Sequence, residues 1–348
     1  MGHTPSEAAP EADGTSHAWD SPPHTRAWSD GKVIKEGFPV SEVSDYLERG
    51  DTVVWLDLCS PNSTGLNVIS EELGLDHLAV EDAVSAHERT KIDRYRSYVF
   101  LNLYAPEVTA DGTMVLHELS AFVTEHALVT VRQDAGLDVG RLIERWDDAP
   151  DITLGDPGGV TPAVLLYGLL DLVVDLQLDV TQTLDDEADA LEELIFETSF
   201  PVREIQQRSF RLRKNLVALR RVGLPMREVV NTILRRDLRF VAPVLSPYYQ
   251  DVYDHTLRVA EWTDGLRDLV ANLLDTRIAL QGNRMNEVMK KVTSWAAIIA
   301  VPTAVTGFYG QNVPYPGFNT HWGFVISTVV IIILSVSLYI VFKLRDWL

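Results

Sequence analysis

The chain contains a single cysteine, Cys59, which excludes an internal disulfide and accords with a reducing compartment. Cys59 reads as a small buried residue just after a strand. Positive charge is scarce: 30 Lys and Arg stand against 50 Asp and Glu, a formal net charge of −20. That balance excludes nucleic acid as a partner, because binding phosphates needs clustered Lys and Arg. An acidic domain attracts cations instead, so divalent cations are the expected partners. Gly-rich phosphate loops, paired-histidine helices and nucleophile elbows are absent from the sequence, so neither enzymatic chemistry nor ATP-driven work is expected. No apolar run near the N-terminus has the form of a signal-peptide core. Residues 1–30, rich in Pro, Ala, Ser, His and acid, are expected to form a disordered tail. His3, His17 and His24 within it read as solvated side chains rather than a metal tract.

Long apolar runs are confined to the C-terminal end. Residues 292–310 and 322–342 are each close to the ~20 residues a helix needs to cross a bilayer. The connection between them carries no Lys, Arg, Asp or Glu. Lys290 and Lys291 precede the first run, and Lys343 and Arg345 follow the second. The basic flanks predict a membrane hairpin with both termini cytoplasmic and the loop 312–321 outside.

Upstream, residues 31–150 alternate short apolar runs with amphipathic ones. Runs 52–58, 95–104, 117–124 and 127–132 have the β-branched and aromatic density of strands, and 41–49 and 70–85 have helical spacing. Glu125-His126 is short enough for a hairpin turn, so the sheet is predicted to be mixed rather than purely parallel. Gly155-Asp156-Pro157-Gly158-Gly159 breaks the chain, and helix dominates residues 151–246. Thr161 and Pro162 predict a helix start, with the helix running to about Glu197 and acidic in its second half. A basic helix follows Pro201; Gly223 is predicted to end it and Pro225 to start the next. The charges of this helical hairpin either face one another or are solvated. Residues 247–311 are predicted to form one helix, a cytoplasmic stalk whose membrane part covers about 292–311. The second membrane helix spans 322–342, and 343–348 form a basic cytoplasmic tail.

Steps of three and four residues along the stalk helix pass through Asn286, Met289, Thr293, Ala296, Ala300, Thr303, Gly307 and Gly310. Small residues on one stripe let membrane helices pack closely. The same stripe also suits the wall of a hydrated pore, and since two helices cannot enclose a channel, that reading requires a homo-oligomer around an axis. Asn312 lies just past the end of this helix, where its carboxamides would ring the pore mouth. A neutral amide oxygen can hydrogen-bond the waters of a hydrated ion, which suits Mg²⁺ because it dehydrates reluctantly.

Tyr309-Gly310-Gln311-Asn312 between two terminal membrane helices, with Lys343-Leu344-Arg345-Asp346-Trp347-Leu348 at the end, resembles the CorA-type magnesium transporter family, whose hallmark is Tyr-Gly-Met-Asn. The stretches 87–100, 212–220, 251–255 and 286–290 are similar to the same family. The resemblance implies an α+β/α chain: an N-terminal cytoplasmic mixed-sheet domain, a long helical stalk and two C-terminal transmembrane helices in a funnel-shaped homopentamer of the cell membrane. It further implies Mg²⁺ transport through a filter of Tyr309, Gly310, Gln311 and Asn312, and regulatory Mg²⁺ between subunits at Asp82 and Asp251, with Glu81 close by. Two departures stand out, Gln311 in place of Met and the uncharged outer loop. Co²⁺, Ni²⁺ and ZntB-like Zn²⁺ transport therefore stay open; Met289 and His321 would suit softer ions, but their plainer readings are a hydrophobic constriction or packing residue and an exposed polar group. A membrane-anchored divalent-cation sensor that transports nothing is the remaining alternative.

Overall fold

The computed structural model describes residues 22–62, 65–66, 70, 73–85, 88–148, 159–196, 201–235, 241–311, 314, 317–318 and 320–348. The chain divides into two compact units, one reaching Val270 and the other beginning at Ala271. In the first, β1 (His24–Ser29), β2 (Lys32–Glu36), β3 (Thr52–Cys59), β4 (Lys91–Arg94), β5 (Val99–Val108), β6 (Met114–Val123) and β7 (Ala127–Arg132) form one sheet in the order β2-β1-β3-β7-β6-β5-β4. Strands β3 and β7 are parallel and the other neighbours antiparallel, the mixed sheet the sequence predicts. The hairpin at Glu125-His126 is present: Thr124 N–H donates to the Ala127 carbonyl and the Thr124 hydroxyl accepts the Ala127 N–H, both at 2.9 Å.

A strand buried on both faces tolerates charge only when the charge is paired. In β3, Asp57 receives Arg132 of β7 through Nε at 3.0 Å and Nη2 at 2.7 Å, and the Thr130 hydroxyl donates to it at 2.7 Å. Leu56 and Leu58 point to the opposite face from Trp55 because side chains alternate along a strand. On their face lie α1 (Val43–Leu47) and α2 (His77–Val84), with Ala79, Val80 and Ala83 of α2 packed on Phe100, Phe122 and Val131. The Trp55 face carries α3 (Val139–Asp147), α4 (Pro162–Phe196), α5 (Val202–Arg235) and the start of α6 (Ser246–Tyr309). Trp55 and Trp146 meet edge-to-face at 4.8 Å, a contact worth about 0.5–1.5 kcal/mol beyond its burial. Cys59 is buried at the end of β3, as expected.

Two expectations are corrected. The expected tail, residues 1–30, is not wholly irregular: His24–Ser29 is β1, hydrogen-bonded between β2 and β3. Ala27 and Trp28 supply buried apolar side chains on its two faces; His24 sits at the strand's start, stacked on Trp55 at 6.3 Å but exposed, as expected of a solvated histidine. His3 and His17 lie outside the described residues. Second, α5 does not end at Gly223 but continues through Pro225 to Arg235. Pro225 cannot donate to the preceding turn, yet Met226, Val229, Val230 and Ile233 stay in the core, and that burial carries the helix on. A Cβ on Gly223 would lie 3.3 Å from Val259 of α6, so this glycine permits close helix approach rather than ending the helix.

The acidic half of α4 meets α5 only locally. Burial raises the Glu187 carboxyl, while Arg211 and Arg208 pull it back. Other pairs of the α5 arginines run elsewhere: Arg208 to Glu204 at 2.9 Å and Arg220 to Asp264 of α6 at 2.7 Å. Helix α6 is continuous over 64 residues, about 96 Å at 1.5 Å per residue. Helix α7 (His321–Leu344) follows.

Candidate cation path and cation-binding clusters

Among the described residues, two helices are long and apolar enough to cross a membrane, within Pro243–Tyr309 and His321–Leu344. Along the membrane part of α6, every residue of the small and polar stripe is exposed: Asn286, Met289, Thr293, Ala296, Ala300, Thr303, Gly307 and Gly310. Across the helix, Ile298, Val301 and Val305 are partly covered, whereas Ile299 and Phe308 are exposed. A Cβ built on Gly307 would meet nothing within 4 Å. The Thr303 hydroxyl donates to the Ile299 carbonyl at 3.1 Å and that of Thr306 to the Pro302 carbonyl at 2.8 Å. Those donors are thus satisfied within the helix, and the hydroxyl lone pairs stay available as acceptors. At the stripe's other end, Asn286, Met289 and Thr293 share an open cleft of about 590 Å³ with Glu287, Lys290 and the C-terminal Trp347.

Helix α6 ends at Tyr309. Gly310 N–H donates to the Thr306 carbonyl at 2.8 Å and Gln311 N–H to the Phe308 carbonyl at 3.3 Å, so the chain leaves the helix through a tight turn with Gln311 exposed. Asn312 lies outside the described residues.

The carboxylates expected to sense cations fall in or beside two clusters. Helix α2 starts at Asp76, whose carboxylate accepts the Leu78 N–H at 2.9 Å, while Asp76 N–H donates to the phenol oxygen of Tyr98 at 2.9 Å. That cap fixes the end of α2 on the sheet and presents Glu81 outward, exposed. Asp82, about a third exposed, pairs with Lys91 of β4. Lys91 Nζ also lies 3.4 Å from Glu88 and 3.6 Å from Asp93. Burial lowers the Lys91 pKa, but the hydrogen bond and charge of Asp82, with Glu88 and Asp93, outweigh it and the pKa stands above the usual lysine value.

Asp251 lies beside the second cluster, of Asp171, Asp175 and His255, without being one of its three members. Its carboxylate is exposed and 4.0 Å from Nδ1 of His255, one turn on along α6. Asp171 and Asp175 of α4 and His255 can each direct a donor atom to a common point, all within 4.8 Å of one another. Arg145 of α3 bridges the two aspartates, pairing with Asp171 and with Asp175 at 2.6 Å. Burial raises the Asp171 carboxyl and Arg145 partly offsets it. Burial beside Asp171 and Asp251 pushes the Tyr167 phenol up to about 12, so it stays a neutral hydrogen-bonding neighbour. Oxygen donors of this kind fit a hard cation such as Mg²⁺, and the His255 nitrogen adds a donor that Co²⁺, Ni²⁺ and Zn²⁺ prefer.

Asp171, Asp175, His255 and Arg145 were not among the sequence candidates. The available signal was two acid-bearing i,i+4 steps, Asp171 to Asp175 and Asp251 to His255, each placing its pair on one helix face. Asp82 and Asp251 have separate partners, Lys91 and His255.

The family model described as CorA-like Mg2+ transporter protein matches residues 50–344. The chain is 31% identical over 320 residues to the cobalt/magnesium transport protein CorA of Thermotoga maritima, covering 89% of this chain and 88% of that one. Its fold is similar to the complete structure of the CorA magnesium transporter of Methanocaldococcus jannaschii, with a TM-score of 0.77 at 22% identity over 94% of this chain and 98% of that one. It is also similar in fold to the ZntB cytoplasmic domain of Vibrio parahaemolyticus, with a TM-score of 0.57 at 10% identity over 75% of this chain and 98% of that one. A two-helix membrane segment after a mixed-sheet domain and a long stalk, with a sequence match over most of the chain, places the protein in the CorA-like Mg2+ transporter family.

Proposed function

We propose that the chain forms a homo-oligomeric pore, a pentamer by resemblance to its family, that admits Mg²⁺ down its electrochemical gradient. The observation that carries this reading is the exposure of the whole stripe from Asn286 to Gly307 on α6, which a ring of copies would turn inward. Thr293 and Thr303 line that path with hydroxyls, Ala296, Ala300 and Gly307 keep it wide, and Met289 narrows it. Tyr309, Gly310, Gln311 and Asn312 form the outer filter, where carboxamides hold the ion through its own water. An inside-negative potential contributes about 2.3 kcal/mol per charge per 100 mV, and a divalent ion gains twice that. Both termini lie in the cytoplasm of a cell-membrane protein.

Asp82 and Asp251, with Glu81, bind regulatory Mg²⁺ between neighbouring copies and hold the pore shut. Asp171, Asp175 and His255 extend the Asp251 cluster. When cytoplasmic Mg²⁺ falls, the facing carboxylates repel one another and the ring loosens.

A second reading, transport of Co²⁺, Ni²⁺ or Zn²⁺, draws on Gln311 in the filter and on His255 among the carboxylates. Uptake of the four ions into proteoliposomes, with and without a proton gradient, tests both. Mg²⁺ uptake driven by potential alone is the expected result; inserted, folded protein that moves no ion would leave a membrane-anchored sensor. In the same assay Gln311→Met should shift the preference among the ions by at most about fivefold, since one neutral hydrogen-bonding group is worth about 1 kcal/mol. Identical ion profiles would mean that Gln311 does not face the ion.

A further inference from the structure

The ammonium of Lys91 is surrounded by carboxylates from three directions. Asp82 reaches it from α2, Glu88 from the segment before β4 at 3.4 Å, and Asp93 from β4 itself at 3.6 Å. Its fourth side lies over the Phe100 ring, 5.6 Å from the centroid. Lys91 is mostly buried, with 16% of its side chain exposed, while Asp82 keeps 30%. The cation is therefore held from within, and all three carboxylates of its cage keep part of their surface in solvent, Glu88 34% and Asp93 48% beside the 30% of Asp82.

The cage is built rather than incidental. Glu118 of β6 is 7% exposed, and its Oε1 accepts the Glu88 N–H at 3.0 Å and the Asn102 amide at 2.9 Å. The Tyr104 hydroxyl donates to the Glu88 carbonyl. Asn102 Oδ1 in turn accepts the Ser120 hydroxyl at 2.9 Å. The backbone of Glu88 is thus fixed at both its polar groups by the core of the sheet, and a buried polar network of this sort is rigid when satisfied. It delivers Lys91 to Asp82 in a defined position.

We infer that Lys91 is an internal counter-ion of Asp82, standing where a divalent cation would stand, and that its displacement sets the Mg²⁺ concentration at which the sensor fills. This rests on Asp82 being a regulatory ligand. One ammonium against three carboxylates leaves the cage net negative, so facing subunits still repel when Mg²⁺ leaves, but less than bare acids would. A divalent ion must take Asp82 from Lys91, and the ammonium then stays with Glu88 and Asp93. The exchange requires no change in protonation, only a change of partner.

The test uses the full-length protein in lipid nanodiscs, with Mg²⁺ as the probe and the Mg²⁺ dependence of the thermal unfolding midpoint as the readout. Flux inhibition is measured in parallel. Lys91→Gln should lower the half-saturating Mg²⁺ about two- to fivefold, the size of one exposed to partly buried ion pair, and Lys91→Arg should keep the wild-type value. Asp82→Asn should remove most of the Mg²⁺ dependence in either background. A Lys91→Gln protein that is less stable but fills at the wild-type Mg²⁺ concentration would make Lys91 a structural anchor and overturn the inference, with Asp82 still the sensor. Should Asp82→Asn retain the full Mg²⁺ response, the sensor assignment itself fails and the inference with it. If Lys91→Gln does not fold, Glu88→Gln, which removes one of the two carboxylates left to hold the displaced ammonium, should raise the half-saturating Mg²⁺; no change or a fall would contradict it.

Discussion

Asn312→Ala should abolish selective Mg²⁺ uptake while leaving assembly intact. A carboxamide that hydrogen-bonds the waters of a divalent ion makes a neutral contact worth about 1 kcal/mol, so losing it at every position of a ring costs at least about tenfold in flux, since about 1.4 kcal/mol is a factor of ten. Alanine removes both donor and acceptor without adding bulk, so the pore mouth widens and discrimination falls with the flux. The measurement is uptake into proteoliposomes of Mg²⁺ against Co²⁺ and Ni²⁺, beside the mass of the assembled protein. Undiminished Mg²⁺ selectivity in a correctly assembled variant would remove Asn312 from the filter.

Asp251→Lys should weaken Mg²⁺ inhibition of flux at least about tenfold, because a unit charge about 4 Å from another at an effective dielectric near 20 is worth about 4 kcal/mol and here its sign is reversed. Solvent screens part of that, since the carboxylate of Asp251 is 61% exposed. Its neighbour His255 is left with one carboxylate fewer, and Asp171 and Asp175 keep Arg145 as partner, so the fold should hold. The check is the inhibition curve of flux against internal Mg²⁺. An unchanged curve would refute the assignment of Asp251 and leave Asp171, Asp175 and His255 as the cluster to alter next.

Much of the fold was legible where local chemistry decides structure. β7 reads as five apolar or β-branched residues, Ala127 to Val131, closed by Arg132, and forms over that span. The helix from Pro162 is marked by Thr161, whose hydroxyl accepts the Val164 N–H at 3.3 Å. The long α6 follows from the scarcity of breakers after Pro247. What was illegible depends on distant partners. His24–Ser29 is polar enough to pass for a tail, and only pairing with β2 and β3 makes it a strand. Lys91–Arg94 carries three charges in four residues, and it is a strand because β5 offers it an edge. Pro225 signals a helix start in isolation, but core burial on both sides overrides it.

The same division holds for the site. The small stripe on α6 is a matter of helical spacing alone; it is exposed, as are Trp295, Ile299 and Phe308 off the stripe. The clusters around Asp82 and Asp251 gather residues from α2, β4, α3, α4 and α6, and no spacing rule links Arg145 to Asp171 or Lys91 to Asp82. Asp82 and Asp251 were singled out by family resemblance, and the neighbours gathered around them are legible only in the fold.

The account depends on α6 helices from several copies enclosing a wet path, and thiol accessibility probes that directly. Thr303→Cys should allow a membrane-impermeant thiol reagent to block Mg²⁺ uptake, whereas Val305→Cys, on the far side of the helix, should not. The native Cys59, 3% exposed in the sheet, leaves the wild type insensitive. Block at Val305→Cys with none at Thr303→Cys would turn the stripe toward lipid and contradict the pore.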